Sequence, residues 1–225
     1  MTRETKRILG WIAVAVIIIG SFLAIIFASQ GDDTTTTPDG EVVLAPVKDG
    51  EWIKGSSQSK VELVEYSDFQ CPACKAREAQ IKQILGEFGE HVKFVYRHFP
   101  LRLNHPNGQI AAQASEAAGL QGKFWEMHGK LFENQEEWSG QNNTEVKASF
   151  VSYAKELGLD VAKFEEDLTS NVAEDAVDED YSSGLAAGVN STPSFFLNGK
   201  KISPQSYEEF RSLIRTAIDK NRPAL

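Results

Sequence analysis

Only two cysteines occur in the 225 residues, and they stand three apart as Cys71-Pro72-Ala73-Cys74. With no other cysteine to build a structural disulfide framework, this spacing points to thiol–disulfide exchange. Its setting supplies the chemistry. The run Val61 to Tyr66 reads as a strand, and Ile81, Ile84, Leu85 and Phe88 recur at helical spacing behind the cysteines. Cys71 therefore falls where a strand gives way to a helix. A helix N-terminus offers unsatisfied N–H donors and about half a positive charge, which favours thiolate over thiol. Thiols at such Cys-x-x-Cys sites have pKa values lowered from about 8.5 to roughly 3.5–7.5. Pro72 suits the first helical turn, where a missing N–H costs nothing. One turn deeper, Cys74 would be more buried and would resolve a mixed disulfide by attacking the Cys71 sulfur and releasing the client thiolate. Three other readings use the same residues. A zinc site would recruit Cys71 and Cys74 with some of His91, His98, His105 and His128, but no second paired-ligand motif is present. The others are an inert local disulfide and a scaffold that only binds partners.

The elements around the pair form an α/β pattern. Val92 to Arg97 reads as a second strand, so strand, helix and strand make a βαβ unit with parallel strands. From about 105 to 187 the strand signal gives way to amphipathic helices. One carries Ile110, Ala114, Ala117 and Ala118, and a second carries Phe124, His128 and Leu131. A third carries Val146, Phe150, Ala154 and Leu157 and ends at Gly158; Asp160 caps a fourth, and a fifth covers 172–187. This block is an inserted helical subdomain. Ser194 to Leu197 is then a strand, Asn198-Gly199 a two-residue hairpin turn and Lys200 to Ile202 the returning strand. Ser203 and Pro204 open a last helix with Tyr207, Phe210, Ile214 and Ala217 on one face. The expected sheet is small, mixed and covered on both faces.

The ends give the compartment. From Ile8 to Phe27 no charge interrupts 20 residues rich in Ile, Val and Ala. At about 1.5 Å per residue this run is roughly 30 Å long, enough for one transmembrane helix. A cleaved signal peptide is the competing reading, although its apolar core would be only about 7–15 residues. Arg3, Lys6 and Arg7 precede the run and Asp32 and Asp33 follow it. The positive-inside rule then leaves residues 1–7 in the cytoplasm and places residues from about 30 onward outside. Residues 28–50 read as a flexible linker and 51–225 as the catalytic domain. From residue 31 onward, 31 acidic residues face 20 basic ones, which argues against a nucleic-acid partner.

Several stretches carry a family resemblance: Tyr66-Ser67-Asp68-Phe69-Gln70-Cys71-Pro72-Ala73-Cys74, Tyr96-Arg97-His98-Phe99-Pro100-Leu101, Gln121 to His128, and Ser191-Thr192-Pro193-Ser194-Phe195-Phe196. Over roughly residues 50–220 the chain resembles the DsbA-type thiol:disulfide oxidoreductases, most of all their membrane-anchored, thioredoxin-like bacterial branch. The resemblance implies a thioredoxin fold with a helical insertion, and no cofactor beyond the redox-active Cys71–Cys74 pair. It implies a cis bond before Pro193, in a loop facing the cysteines. From residue chemistry alone, a trans proline entering a strand serves equally well. Substrate would lie against Thr192, Pro193, Pro72 and Ala73. Glu65, six residues before Cys71, matches an acidic position of thioredoxin-like proteins and would exchange a proton with Cys74 if it points inward. As a solvated strand carboxylate it would do nothing. His98 and His105 read as structural or loop histidines.

An oxidase acting on secreted or surface proteins with free thiols, and recycled by a membrane redox partner, follows from an oxidising location. A reductase or isomerase would use the same residues, and an anchored metal- or partner-binding module without turnover is the reading from another class. Ala73 departs from the histidine at that position in the family's most oxidising members.

Overall fold

A computed structural model describes residues 44–222. The expected anchor at 8–27, its cytoplasmic flank 1–7 and the linker as far as residue 43 lie outside the described residues. Among the described residues, no helix is long and apolar enough to cross a membrane.

The framework is a five-stranded sheet in the order β1-β3-β2-β4-β5. Its strands are β1 (Trp52–Gly55), β2 (Glu62–Ser67), β3 (Lys93–His98), β4 (Ser194–Leu197) and β5 (Lys200–Ile202). β2 and β3 run parallel, which takes a crossover connection such as a helix, and the other pairs are antiparallel. Helix α1 (Pro72–Phe88) makes that crossover. Six helices then follow without a strand: α2 (Gly108–Gly119), α3 (Phe124–Glu133), α4 (Gln135–Trp138), α5 (Asn143–Glu156), α6 (Val161–Leu168) and α7 (Asn171–Ala186). After the β4–β5 hairpin, α8 (Tyr207–Asn221) closes the described chain.

Local chemistry explains most boundaries. Asn142 forms a reciprocal capping box with Glu145, while the Asp160 and Ser170 side chains accept from backbone N–H groups at the starts of α6 and α7. Asn198 and Gly199 both take positive φ, 49° and 78°, which a two-residue hairpin turn demands. Two expectations need correction. The last helix opens at Tyr207, not at Pro204, because the Ser206 side chain accepts from the Glu209 N–H and caps it there. The sheet also has a fifth strand, β1, an edge strand of four residues that the apolar pattern did not announce.

The residue alternation of β2 and β3 divides the interior in two. Leu63, Phe94 and Tyr96 belong to a core shared with α1, α8 and the helical insertion; Val64, Tyr66 and Val95 belong to a second core on the other face with Phe99, Val189 and Phe196. Leu44 is buried in the second core, and the Ala45 carbonyl accepts from the Arg97 guanidinium. The stretch 44–50, expected as the end of the linker, therefore lies against the sheet.

Candidate active site

Cys71 is the N-cap of α1, with extended backbone angles (φ −77°, ψ 120°) and Pro72 at the first helical position. Its carbonyl accepts from the N–H groups of Cys74 and Lys75, which starts the helix, and its own N–H donates to the Asp68 carbonyl. The two sulfurs are not bonded to one another. Cys74 is wholly buried, and Cys71 is only 6% exposed. The depth order is the expected one, yet the outer sulfur is far less open than expected. The Thr192–Pro193 loop closes over it: the Cys71 thiol approaches the Thr192 carbonyl oxygen at 3.5 Å. Pro72 and Ala73 remain exposed beside it. The Thr192–Pro193 peptide is cis.

This setting separates the two thiols. A hydrogen bond from Cys74, another from Thr192 and the N–H groups at the helix start hold the Cys71 pKa down at about 5, against the opposing effect of burial. Burial pushes Cys74 well above the ordinary thiol range, with the bond it gives Cys71 and the charge of Glu65 adding to the effect. At neutral pH Cys71 is thus a thiolate and Cys74 a thiol.

Glu65 points inward. It lies on the face of β2 that α1 covers, is 3% exposed, and accepts one hydrogen bond, 2.8 Å from the Ser67 hydroxyl. Burial raises its pKa to about 8, so it carries a proton at neutral pH. When ionised, Glu65 raises the pKa of Cys74 through its charge, but the side chain bonded to it is Ser67.

Other residues hold the loop before Cys71, and sequence reasoning gave them no role in the site. The Gln135 amide donates to the carbonyls of Phe69 (2.6 Å) and Cys71 (3.0 Å). Asp68 accepts from the N–H groups of Gln70 and Leu101, both at 2.8 Å, and pairs with His105 Nδ1 at 2.6 Å. Gln70 in turn bonds Ser139 and Asn107. The helical insertion therefore braces the cysteine loop through backbone carbonyls. The only signal for this was the polar Asp68 and Gln70 between the strand and Cys71. A groove of about 660 Å³ opens beside Pro72 between Lys75, Ala79, His105 and Gln135. Among the described residues, no three His, Cys, Asp or Glu side chains group as a metal site.

Comparison with known proteins follows the same lines. A family model described as "Thioredoxin" matches residues 48–216. Among solved structures, oxidised BdbD from Bacillus subtilis superposes with a TM-score of 0.69 at 25% identity, covering 80% of this chain and 98% of its own. α-DsbA1 from Wolbachia pipientis gives 0.68 at 20% identity, covering 79% and 94%, a likeness of fold. The Na(+)/H(+) antiporter NhaA 1 of Mycolicibacterium vanbaalenii is 38% identical over 167 residues, which is 72% of this chain but 26% of the antiporter. NhaA of Herminiimonas arsenicoxydans is 37% identical over 74% of this chain and 25% of its own length. The chain spans about a quarter of the length of these curated relatives.

Proposed function

The chain belongs to the thioredoxin family, among its DsbA-type thiol–disulfide oxidoreductases, and from that premise we propose that it is an extracytoplasmic oxidase, passing the Cys71–Cys74 disulfide to secreted or surface proteins. The observation that carries this reading is the Cys71 sulfur at the helix tip, held as a thiolate while Cys74 behind it keeps its proton. A low pKa at Cys71 stabilises the reduced protein, and a stable reduced form is what makes a disulfide oxidising.

Turnover uses both thiols. A client thiolate attacks Cys71 in the disulfide form, Cys74 leaves, and a second client thiolate resolves the mixed disulfide, leaving the client oxidised by two electrons. The exposed Pro72 and Ala73 and the Thr192–Pro193 loop present Cys71 to an extended client segment. Glu65 supplies the proton that Cys74 takes on leaving. Residues 8–27 anchor the domain with its N-terminus in the cytoplasm, and a membrane redox partner restores the disulfide.

Without a histidine at position 73, the potential falls between those of thioredoxin and DsbA, about −270 and −120 mV. Equilibration with glutathione measures it, and a value at the thioredoxin end would replace oxidase by reductase or isomerase. Cys74→Ala is expected to accumulate mixed disulfides through Cys71, seen on non-reducing gels. A variant that traps no client would count against exchange altogether.

A further inference from the structure

The Cys74 sulfur must take up a proton when it leaves and give one up when it attacks, yet it has no exposure to water. Glu65 acts on it as a charge rather than as a bonded partner. Between the two stands Ser67. On β2, Glu65 and Ser67 alternate onto the face that α1 covers, and Tyr96, directly opposite Glu65 in the parallel register, shares that face. Ser67 and Tyr96 are each 1% exposed. The Ser67 hydroxyl donates to Glu65 Oε1 at 2.8 Å, and it lies close enough to Cys74 and Tyr96 to lower the pKa of each. The Tyr96 hydroxyl has no hydrogen-bond partner of proper geometry among the described residues, although a buried hydroxyl left unpaired is costly.

We propose that the Ser67 hydroxyl, steadied by that of Tyr96, relays the proton between Cys74 and Glu65. This rests on the exchange chemistry proposed above and adds the route by which its buried proton moves. A client thiolate forms a bond to Cys71, the Cys71–Cys74 bond breaks, and its electron pair leaves on Cys74. Ser67 turns its hydroxyl proton onto that sulfur and accepts the carboxyl proton of Glu65. The net result is a Cys74 thiol and a Glu65 carboxylate, so negative charge has passed from sulfur to oxygen with no bulk water needed. The unpartnered Tyr96 hydroxyl is then the free donor that holds the Ser67 oxygen during the transfer. Reversing the same steps deprotonates Cys74 when it attacks.

The charged and titratable groups around this chain are Arg77 and Glu78 on α1, Asp68 after β2, His98 on β3 and His128 on α3. None of them bonds Ser67 among the described residues; removing its hydroxyl also takes from Glu65 its one hydrogen bond and raises that pKa further, so Ser67→Thr, which keeps the hydroxyl, is the control.

The experiment is single-turnover reaction of the oxidised full chain with a thiol peptide, followed by stopped-flow fluorescence from pH 5 to 9, for Ser67→Ala, Ser67→Thr and Tyr96→Phe. General acid catalysis is typically worth about 10²-fold or more. Ser67→Ala is expected to slow formation of the mixed disulfide by about 10²-fold and to flatten its pH profile. Ser67→Thr keeps the hydroxyl and restores the rate to within about threefold. Tyr96→Phe slows it by a smaller factor, about threefold to tenfold. The Cys71 thiolate absorbance titration stays unchanged in the two Ser67 variants. Wild-type rates and pH profile in Ser67→Ala, or a Ser67→Thr variant as slow as Ser67→Ala, overturn the relay and leave the exchange reading standing. Absence of exchange by the wild-type protein removes the exchange reading itself.

Discussion

Two ionisable side chains lie buried on opposite faces of the same pair of strands, and the protein treats them in opposite ways. On one face the Arg97 guanidinium gives two bonds of 2.9 Å to Glu51, one of 2.9 Å to the Tyr66 hydroxyl and others to the carbonyls of Ala45 and Pro46. Its charge is compensated, and it clamps the segment before β1 to the sheet. On the other face Glu65 receives a single hydroxyl, and among the described residues no cation bonds it. Burial then raises its pKa to about 8 and leaves it holding a proton it can part with. A fully satisfied buried charge holds structure. One satisfied by a single hydrogen bond becomes a proton store, and here it sits beneath the cysteines.

The contrast can be attacked from both sides. Cys71→Ser is expected to abolish exchange, reducing oxidation of a thiol peptide to background, with the unfolding curve little changed. Arg97→Met should do the reverse. Removing the cation strips Glu51 and Tyr66 of their shared partner, at about 3–5 kcal/mol of unfolding free energy in urea, while peptide oxidation persists wherever the protein is folded. If Arg97→Met left stability untouched, the clamp would not be structural and the contrast would fail.

Glu65→Gln separates storage from structure. The carboxyl pKa is raised on folding, so its favourable contribution is complete below the unfolded value near 4.5 and is lost as pH rises through about 8. The glutamine variant is therefore expected to be more stable than the parent by about 3 kcal/mol at pH 7, and no more stable at pH 4. Thr192→Val is the mildest change. Losing the Thr192 side-chain hydroxyl, which helps keep the Cys71 pKa low, is expected to raise that pKa, read from thiolate absorbance near 240 nm.

Local features made much of the fold legible. Pro72 after Cys71, Asp160 before α6, Gly158 at φ 73° and Asn198-Gly199 in the hairpin each act through backbone geometry within a few residues. A strand–helix junction bearing Cys-x-x-Cys was readable for the same reason. β1 was not, because a four-residue edge strand gains its identity from pairing with β3 some 40 residues on. Gln135 and His105 were passed over as site residues because their partners lie 64 and 37 positions away.

Glu65 marks the boundary between the two kinds of knowledge. Its spacing from Cys71 was plain in the chain, but β2 is buried on both faces, so no polar–apolar alternation told which way the carboxyl turned. What the sequence determined was where a thiolate would form, since a helix start and its dipole are made by neighbours along the chain. Which groups surround that sulfur, and how far each pKa moves, was decided only when the cis loop, the helical insertion and both faces of the sheet came together. Burial is a property of the whole packed body, and no short stretch of residues contains it.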